Sequence, residues 1–381
     1  MAAGRRTRIM IVDDSAVMRS LLRSVVCADA GLEVAGTAVD GASALASIEN
    51  LRPDLILLDV EMPVMDGLVT LRELRARGYR IPVIMCSSLT QRGARVTIEA
   101  LAGGASDYVA KPTAQASREA ATLALAQDLI PKIHALTGQF QCQPQAQPPP
   151  AVPRVPLALP PAPTRKAQPI SSVPAVLAIG VSTGGPAALD VLLPSLPGNF
   201  PLPVAIVQHM PEQFTKLFAE RLNSRCRLLV REAAEGDPLR AGTIYIARGN
   251  WHLEVLAASR AGSPPTLHLN QGPLENHCRP AVDALFRSLA GVYGAGVLAV
   301  VLTGMGSDGL MGCRMIRDCG GSVLAQDQAT STVWGMPGAV VNAGLALHVL
   351  PLYELTPEIL RIAGPRPAAA GQARELLKSV L

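Results

Sequence analysis

Three polar residues in the C-terminal half of the chain have the types needed for acyl transfer, and each follows an apolar, strand-like run. Ser182 lies in the glycine-rich turn Gly180–Pro186, His209 follows an aliphatic run, and Asp308 lies in a second glycine-rich loop. A serine hydroxyl becomes an effective nucleophile when a base takes its proton, and imidazole suits that role near neutral pH. A carboxylate then fixes the imidazole tautomer and stabilises its charged form. The three residues therefore predict a Ser-His-Asp hydrolytic site.

Each of the three residues also has a simpler interpretation. The glycine turn could cradle a phosphate or merely join a strand to a helix, although it lacks the G-x-G-x-x-G spacing and no P-loop lysine follows. Asp308 could cap the next helix, and an isolated histidine is more often a polar surface or core residue. The chain order Ser, His, Asp also differs from the Ser, Asp, His order of the α/β-hydrolases. The joint placement of the three residues after strands nevertheless favours catalysis.

A second polar set follows the strand-like runs of the N-terminal part. It consists of Asp13, Asp14, Asp59, Ser87 and Lys111. Converging carboxylates repel one another, so a divalent cation is their natural neutraliser, and oxygen ligands favour Mg²⁺. A lysine and a small hydroxyl can bind a phosphoryl group, and a carboxylate held there can become an aspartyl phosphate. Solvated acidic loops beside a surface lysine are the alternative, which five matching positions at successive strand ends disfavour.

Two series of alternating strands and helices position these residues. The first predicts a doubly wound parallel α/β sheet in the flavodoxin-like order, and the second a larger, Rossmann-like one with a β excursion from Leu239 to Leu269. A segment rich in Pro, Gln and Ala joins them and reads as an extended linker. The predicted division is 1–136 for the first domain, 137–174 for the linker, 175–352 for the second domain and 353–381 for a C-terminal extension.

The predicted strands are short aliphatic runs. Those of the first series are Ile9–Val12, Val34–Val39, Leu55–Leu58, Val83–Met85 and Asp107–Ala110. Those of the second series are Ala175–Ile179, Val204–Gln208, Leu228–Arg231, Thr243–Ala247, Val297–Leu302 and Ser322–Ala325.

Composition narrows the class of protein. The 381 residues are 49% apolar but only 3% aromatic, so the cores must be aliphatic, as in buried parallel sheets. The net charge of +4 is small and dispersed and gives no footprint for nucleic acid. Seven cysteines without close pairs argue against a disulfide framework. Since no apolar run approaches the roughly 18 residues that span a bilayer, we expect a cytoplasmic protein that is not membrane-inserted.

The first domain resembles a response-regulator receiver domain. The matching runs are Asp13-Asp14-Ser15, Leu58 to Gly67, Ser87-Ser88 and Lys111-Pro112. The resemblance implies that Asp59 is the phosphoacceptor and that Asp13 and Asp14 hold Mg²⁺ with it. It also implies that Ser87 is the switch hydroxyl and Lys111 the phosphate-binding cation. A histidine autokinase of the chemotaxis system would be the phosphodonor.

The second domain resembles the catalytic domain of the CheB family of chemotaxis protein-glutamate methylesterases. The matching runs are Ile179–Pro186, Gln208–Pro211, Arg279–Asp283, Leu302–Gly309, Ala325–Asp327 and Trp334–Gly338. The resemblance implies that Ser182 is the nucleophile, His209 the base and Asp308 the orienting acid. Because glycine loops at helix N-termini point amides inward, we expect oxyanion donors near Thr183 and Met305.

The combined resemblance implies an enzyme of sensory adaptation. It would hydrolyse glutamate γ-methyl esters, and deamidate certain glutamines, on the cytoplasmic helices of chemoreceptors, without a cofactor for the hydrolysis. In this family the unphosphorylated receiver covers the catalytic cleft. Two departures, Glu212-Gln213 and Asn276-His277-Cys278, flank the expected substrate groove. The competing hypotheses are a DNA-binding response regulator, which the lack of a basic helix disfavours, and a non-catalytic nucleotide-binding scaffold.

Overall fold

The computed structural model describes residues 5–88, 90–112, 117–138, 173–260 and 262–364. The predicted linker, 137–174, and the tail beyond 364 lie almost wholly outside these residues. None of the helices in the described ranges combines the length and the apolar character that crossing a bilayer requires.

The N-terminal domain is a five-stranded parallel sheet with helices on both faces. Its strands lie in the order β2-β1-β3-β4-β5, which confirms the predicted flavodoxin-like arrangement. The strands are β1 Thr7–Val12, β2 Leu32–Ala38, β3 Leu55–Asp59, β4 Val83–Ser87 and β5 Asp107–Ala110. The helices are α1 Ala16–Ala28, α2 Gly41–Leu51, α3 Gly67–Ala76, α4 Gln91–Ala102 and α5 Arg118–Leu136.

The C-terminal domain contains a seven-stranded sheet in the order β14-β13-β12-β6-β7-β9-β8, in which all paired strands are parallel. The second predicted α/β sheet is therefore confirmed. Its strands are β6 Val176–Val181, β7 Val204–Gln208, β8 Leu229–Glu232, β9 Thr243–Ile246, β12 Val297–Val301, β13 Ser322–Gln326 and β14 His348–Leu350. The helices are α6 Gly185–Leu192, α7 Glu212–Asn223, α8 Val282–Tyr293, α9 Leu310–Asp318, α10 Met336–Asn342 and α11 Leu352–Ala363.

The predicted β excursion is a separate hairpin. Strands β10 His252–Leu256 and β11 Thr266–Asn270 pair antiparallel and form a two-stranded sheet of their own. The turn predicted near Gly249-Asn250 contains Asn250 in a left-handed conformation, with φ of 63°.

The last described helix, α11, begins where sequence patterning placed the end of the domain. Leu355 and Ile359 are fully buried, and the Thr356 hydroxyl donates to Leu192 O at 3.3 Å. The helix packs against α6. We therefore propose that the second domain extends to Ala363 and that any extension begins after it.

Candidate active site and acidic cluster

The three predicted catalytic side chains come from loops at the carboxyl ends of three neighbouring strands. β6 lies at the centre of the sheet and pairs with β7 on one side and β12 on the other. In this register Val181 faces Gln208, so Ser182 and His209 follow paired residues. The strands that follow β6 are added first on one side of it, starting with β7, and later on the other side, starting with β12. Open α/β sheets bind ligands at the carboxyl ends of the strands where the order reverses in this way. The structure thus brings the loops that carry Ser182, His209 and Asp308 to the same end of the sheet.

His209 and Asp308 form a close hydrogen-bonded pair. The Nε2 atom of His209 lies 2.7 Å from Asp308 Oδ2. The Asp308 side chain is only 2% exposed and that of His209 only 13%. Backbone N–H groups of Val282, Asp283 and Gly309 also donate to the Asp308 carboxylate, at 2.6, 3.0 and 3.0 Å. These donors hold the carboxylate in the orientation that an orienting acid needs.

The pair shifts the pKa values of its two members in opposite directions. Burial works to lower the pKa of His209, but the hydrogen bonds to Asp308 and Cys278 outweigh it and raise that pKa. Burial works to raise the pKa of Asp308, but its hydrogen bond to His209 and the backbone donors hold that pKa below its usual value. Asp308 is therefore ionised at neutral pH and favours a proton on the imidazole.

Close backbone packing surrounds Ser182. Its N–H donates to Thr303 O at 3.0 Å, and its carbonyl accepts from Gln208 Nε2 at 3.0 Å. A Cβ on Gly304 would lie 2.8 Å from the Ser182 Cβ, so only glycine allows the loop after β12 to come this near. Gly184, with φ of 77°, supplies the left-handed turn that starts α6. The sharp turn presents the serine between the other two loops.

The imidazole nitrogen that remains available to Ser182 is Nδ1, because Nε2 is bound to Asp308. In this structure Nδ1 faces the Cys278 sulfur at 3.6 Å. Within the described part of the chain the Ser182 hydroxyl has no hydrogen-bond partner, although it lies on the neighbouring loop. Sequence reasoning did not predict that Cys278 would lie on the candidate base.

Thr183 and Met305, the predicted oxyanion residues, lie on the two loops that flank Ser182. Neither backbone N–H finds an acceptor among the described residues, which is the condition a donor to an external oxyanion must meet. The Thr183 side chain is committed elsewhere, since its hydroxyl donates to Asp107 Oδ2 in the N-terminal domain at 2.6 Å. Thr183 is 4% exposed and Asp107 7% exposed.

The two domains pack together beside this hydrogen bond. The Tyr108 and Phe214 rings lie 4.8 Å apart between centroids at a 33° tilt. Helix α4 of the N-terminal domain packs against α6 and α7 of the C-terminal domain. Helix α6 starts immediately after the Ser182 turn and α7 starts three residues after His209. The docked surface therefore adjoins the loop that carries the candidate nucleophile.

The second predicted cluster also assembles. Asp13, Asp14 and Asp59 offer carboxylate oxygens that all lie within 4.8 Å of one another. Lys111 Nζ lies 2.9 Å from Asp13 Oδ2 and 2.8 Å from Asp59 Oδ1. Asp13 is fully buried and Asp59 is 3% exposed, while Asp14 is exposed. Three carboxylates around one point, two of them bound by Lys111, form a donor set that suits Mg²⁺.

Burial dominates the titration of Asp59. It raises the pKa of Asp59 to about 6, although the hydrogen bond and charge of Lys111 act in the opposite direction. The Ser87 side chain lies at the end of the adjacent strand β4 and is fully buried. Its hydroxyl accepts a hydrogen bond from Thr97 Oγ1 at 2.7 Å and donates to Ser88 O at 3.1 Å. Ser87 is thus next to the cluster but hydrogen-bonded away from Asp59.

Comparison with known proteins gives matches to both domains. A family model described as CheB methylesterase matches residues 177–359, and one described as response regulator receiver domain matches residues 9–122. A protein-glutamate methylesterase/protein-glutamine glutaminase of Nocardioides sp. is 50% identical over 368 residues, covering 95% of this chain and 97% of the relative. A protein of the same name from Trichodesmium erythraeum is 47% identical, covering 94% and 99%. The crystal structure of the Thermotoga maritima CheB methylesterase catalytic domain is 41% identical and covers 50% of this chain and 98% of that one, with a TM-score of 0.48.

Proposed function

This chain belongs to the CheB methylesterase family, and from that premise we propose that it hydrolyses glutamate γ-methyl esters of chemoreceptors by a Ser-His-Asp mechanism under the control of receiver phosphorylation. The observation that carries the proposal is the buried His209–Asp308 hydrogen bond, 2.7 Å long, on the strand ends that flank Ser182. The relatives' names include glutaminase activity, and the same site could deamidate receptor glutamines.

Ser182 attacks the ester carbonyl while His209 takes the hydroxyl proton on Nδ1. Asp308, ionised and bound to Nε2, stabilises the imidazolium that results. The proton then passes to the leaving methoxide, methanol departs, and water hydrolyses the acyl-enzyme by the same sequence of transfers. For Nδ1 to accept the proton, the Ser182 hydroxyl must rotate toward Nδ1, which now faces the Cys278 sulfur. The unpaired N–H groups of Thr183 and Met305 suit the oxyanion of the tetrahedral intermediate.

Methanol release from methylated receptor tests the catalytic assignment. Ser182→Ala should lower kcat by several orders of magnitude while the thermal unfolding midpoint stays unchanged, because the hydroxyl has no hydrogen-bond partner among the described residues. A serine-directed probe should label Ser182 in the parent and lose that labelling in His209→Ala. A fully active Ser182→Ala protein would refute the mechanism.

Phosphorylation of Asp59 would regulate access to the loops that carry Ser182, His209 and Asp308. The hydrogen bond from Thr183 to Asp107 and the Tyr108–Phe214 contact support a docked, covered state of the unphosphorylated protein. A phosphoryl group on Asp59 would weaken the docked state and shift the population toward an open one. Deletion of residues 1–136 should then raise basal esterase activity. Loss of activity on deletion would instead favour a receiver that helps to assemble the site.

The acidic cluster would hold the Mg²⁺ that receiver phosphorylation requires. Asp13, Asp14 and Asp59 are its candidate ligands, and the ion would supply positive charge beside the phosphoryl group. Lys111 would neutralise the cluster and bind a phosphoryl oxygen. For the Ser87 hydroxyl to donate to another phosphoryl oxygen, it would have to give up its hydrogen bond to Ser88 O. A histidine autokinase is the proposed phosphodonor, and the cytoplasmic helices of chemoreceptors are the proposed substrate. Both imply a cytoplasmic location.

A further inference from the structure

A single asparagine joins two buried carboxylates behind the candidate base. Asn276 Nδ2 donates to Asp308 Oδ1 and to Asp283 Oδ2, both at 2.9 Å. Asp308 is 2% exposed and Asp283 4% exposed. The one amide group thus donates a hydrogen bond to each carboxylate. Without it, the carboxylates of Asp308 and Asp283 would be neighbouring anions in a poorly solvated space. Two such anions repel strongly, and a pair that lacks a donor takes up a proton.

The backbone around Asn276 is held independently of that contact. Glu275 N donates to Cys278 O at 3.1 Å and Cys278 N donates to Glu275 O at 2.8 Å. Asn276 and His277 between them have φ of 50° and 62°. These features are those of a type I′ turn, in which asparagine is a favoured central residue.

An ion pair fixes this turn to the body of the domain. Arg287 on α8 holds the Glu275 carboxylate through both terminal nitrogens, at 2.9 and 2.6 Å. The side-chain amide of Asn276 is therefore delivered to the carboxylates by a tightly anchored turn.

The two carboxylates differ in what else they bind. Asp308 binds His209, whereas Asp283 accepts the Gly312 N–H at 2.6 Å and makes no contact with the imidazole. Burial raises the pKa of Asp283, the charge of Asp308 adds to that rise, and the Asn276 hydrogen bond opposes it. Without the Asn276 amide, Asp283 and Asp308 would share one proton. Any fraction of that proton on Asp308 would weaken the hydrogen bond between Asp308 and His209.

We propose that Asn276 is a positioning residue for the hydrolysis, whose amide keeps Asp308 ionised and directed at His209 by bridging it to Asp283. The inference rests on the proposed function. Asn276 acts through Asp308 and touches no reacting atom.

The test compares Asn276→Gly with His277→Gly in the full-length protein. Glycine accepts the left-handed backbone, so the first variant removes the amide and leaves the turn, while the second changes the neighbouring left-handed position and leaves the amide. We expect Asn276→Gly to lower kcat by about 10- to 100-fold, the size of one lost hydrogen bond to a charged group, with KM unchanged. His277→Gly keeps the Asn276 amide and should leave the titration of His209 at its parent pH.

The decisive readout is the titration of His209. With less negative charge on Asp308, the His209 imidazole should titrate at lower pH, both in the acid limb of kcat/KM and in an NMR titration assigned with His209→Gln. Adding Asp283→Asn to Asn276→Gly removes the competing anion and should restore the titration and most of the rate. An unchanged or upward-shifted titration in Asn276→Gly, or the same downward shift in His277→Gly, would overturn the proposal. Since the NMR titration needs no turnover, it decides the role of Asn276 even if Ser182→Ala shows that the proposed hydrolysis is wrong.

Discussion

At the scale of single residues, the contact between His209 and Asp308 sets the pH response. The carboxylate raises the pKa of His209, and the mechanism needs the neutral imidazole, so activity should increase as pH rises through that pKa. Removing the carboxylate must therefore move the acid limb of the pH profile downward. This sign separates an orienting acid from a residue that only supports the fold.

We accordingly expect Asp308→Asn to lower kcat by about 10⁴-fold, the size found when an orienting aspartate is lost in a serine hydrolase. The acid limb of kcat/KM should shift to lower pH in the same variant. Asp318→Asn, at the exposed end of α9, is the matched control and should alter neither quantity. An acid limb that stays in place would show that Asp308 does not act on His209.

The acidic cluster permits a second prediction at this scale, on Mg²⁺. Addition of Mg²⁺ should stabilise the folded receiver by about 2.7 kcal/mol at a concentration 100-fold above its Kd, seen as a higher thermal unfolding midpoint. Asp13→Asn should abolish the gain. Asp54→Asn, which removes a carboxylate paired with Arg5 outside the cluster, should retain it.

The same stabilisation should depend on pH in a defined direction. Asp59 must be ionised to bind the cation, and burial raises its pKa to about 6. Protons therefore compete with Mg²⁺ as pH falls through about 6, and the gain in unfolding midpoint should shrink there. A gain that is constant from pH 8 to about pH 5 would exclude Asp59 as a ligand.

At the scale of elements, α11 falls in the predicted C-terminal extension but packs against α6. Ile359 is fully buried on this helix, so Ile359→Ala should lower the free energy of unfolding by about 2–5 kcal/mol. Tyr353→Ala, on the same helix but 67% exposed, should change it by less than about 0.5 kcal/mol. Urea unfolding of the full chain measures both. Equal effects would mean that α11 is an appendage.

Sequence reasoning found the elements whose signal is local. The predicted bounds of the runs Val204–Gln208 and Asp107–Ala110 match those of β7 and β5, because buried parallel strands are short and largely apolar. It missed α11, where Pro357 inside the helix interrupts the pattern, and the three-residue strand β14. In these elements packing against neighbours overrides weak local propensity.

The candidate site shows the same difference between residues with a local signal and residues placed by packing. Ser182, His209 and Asp308 were identifiable because each follows a recognisable strand, and parallel strands bring their carboxyl ends together. For Asn276 the sequence predicts only a position beside the substrate groove, since an Asn-His pair gives a weak turn signal. Its contact with Asp308, 32 residues away, exists only once α8 and the loop after β12 have packed. Such a contact cannot be read from spacing.

At the scale of the whole molecule, the hydrogen bond from Thr183 to Asp107 should stabilise the docked state of the two domains. Asp107→Ala removes the acceptor of the Thr183 hydroxyl, and a buried polar group left without its partner typically costs about 1–3 kcal/mol. We expect the docked state to weaken by about 10- to 100-fold, with higher esterase activity before phosphorylation and a smaller further rise after it.

Asp128→Ala is the matched control for that measurement. Asp128 and Asp107 both lie near Lys132 Nζ, at 2.8 and 3.9 Å, but Asp128 is on α5 and is not the partner of Thr183. It should disturb the charge balance of the receiver without raising basal activity. Equal activation by the two variants would trace the effect to Lys132 rather than to the interface.

The strand order of the C-terminal sheet has a consequence for biosynthesis. β6 meets β7 almost at once along the chain, but its other neighbour, β12, is made much later, and Asp308 lies 99 residues beyond His209. At about 5–20 residues per second, a ribosome needs about 5–20 s to cross that interval. During that time the nascent chain already carries a complete receiver sheet, while Asp308 has yet to be translated. The receiver sheet can therefore be complete before the last strands of the C-terminal sheet are translated.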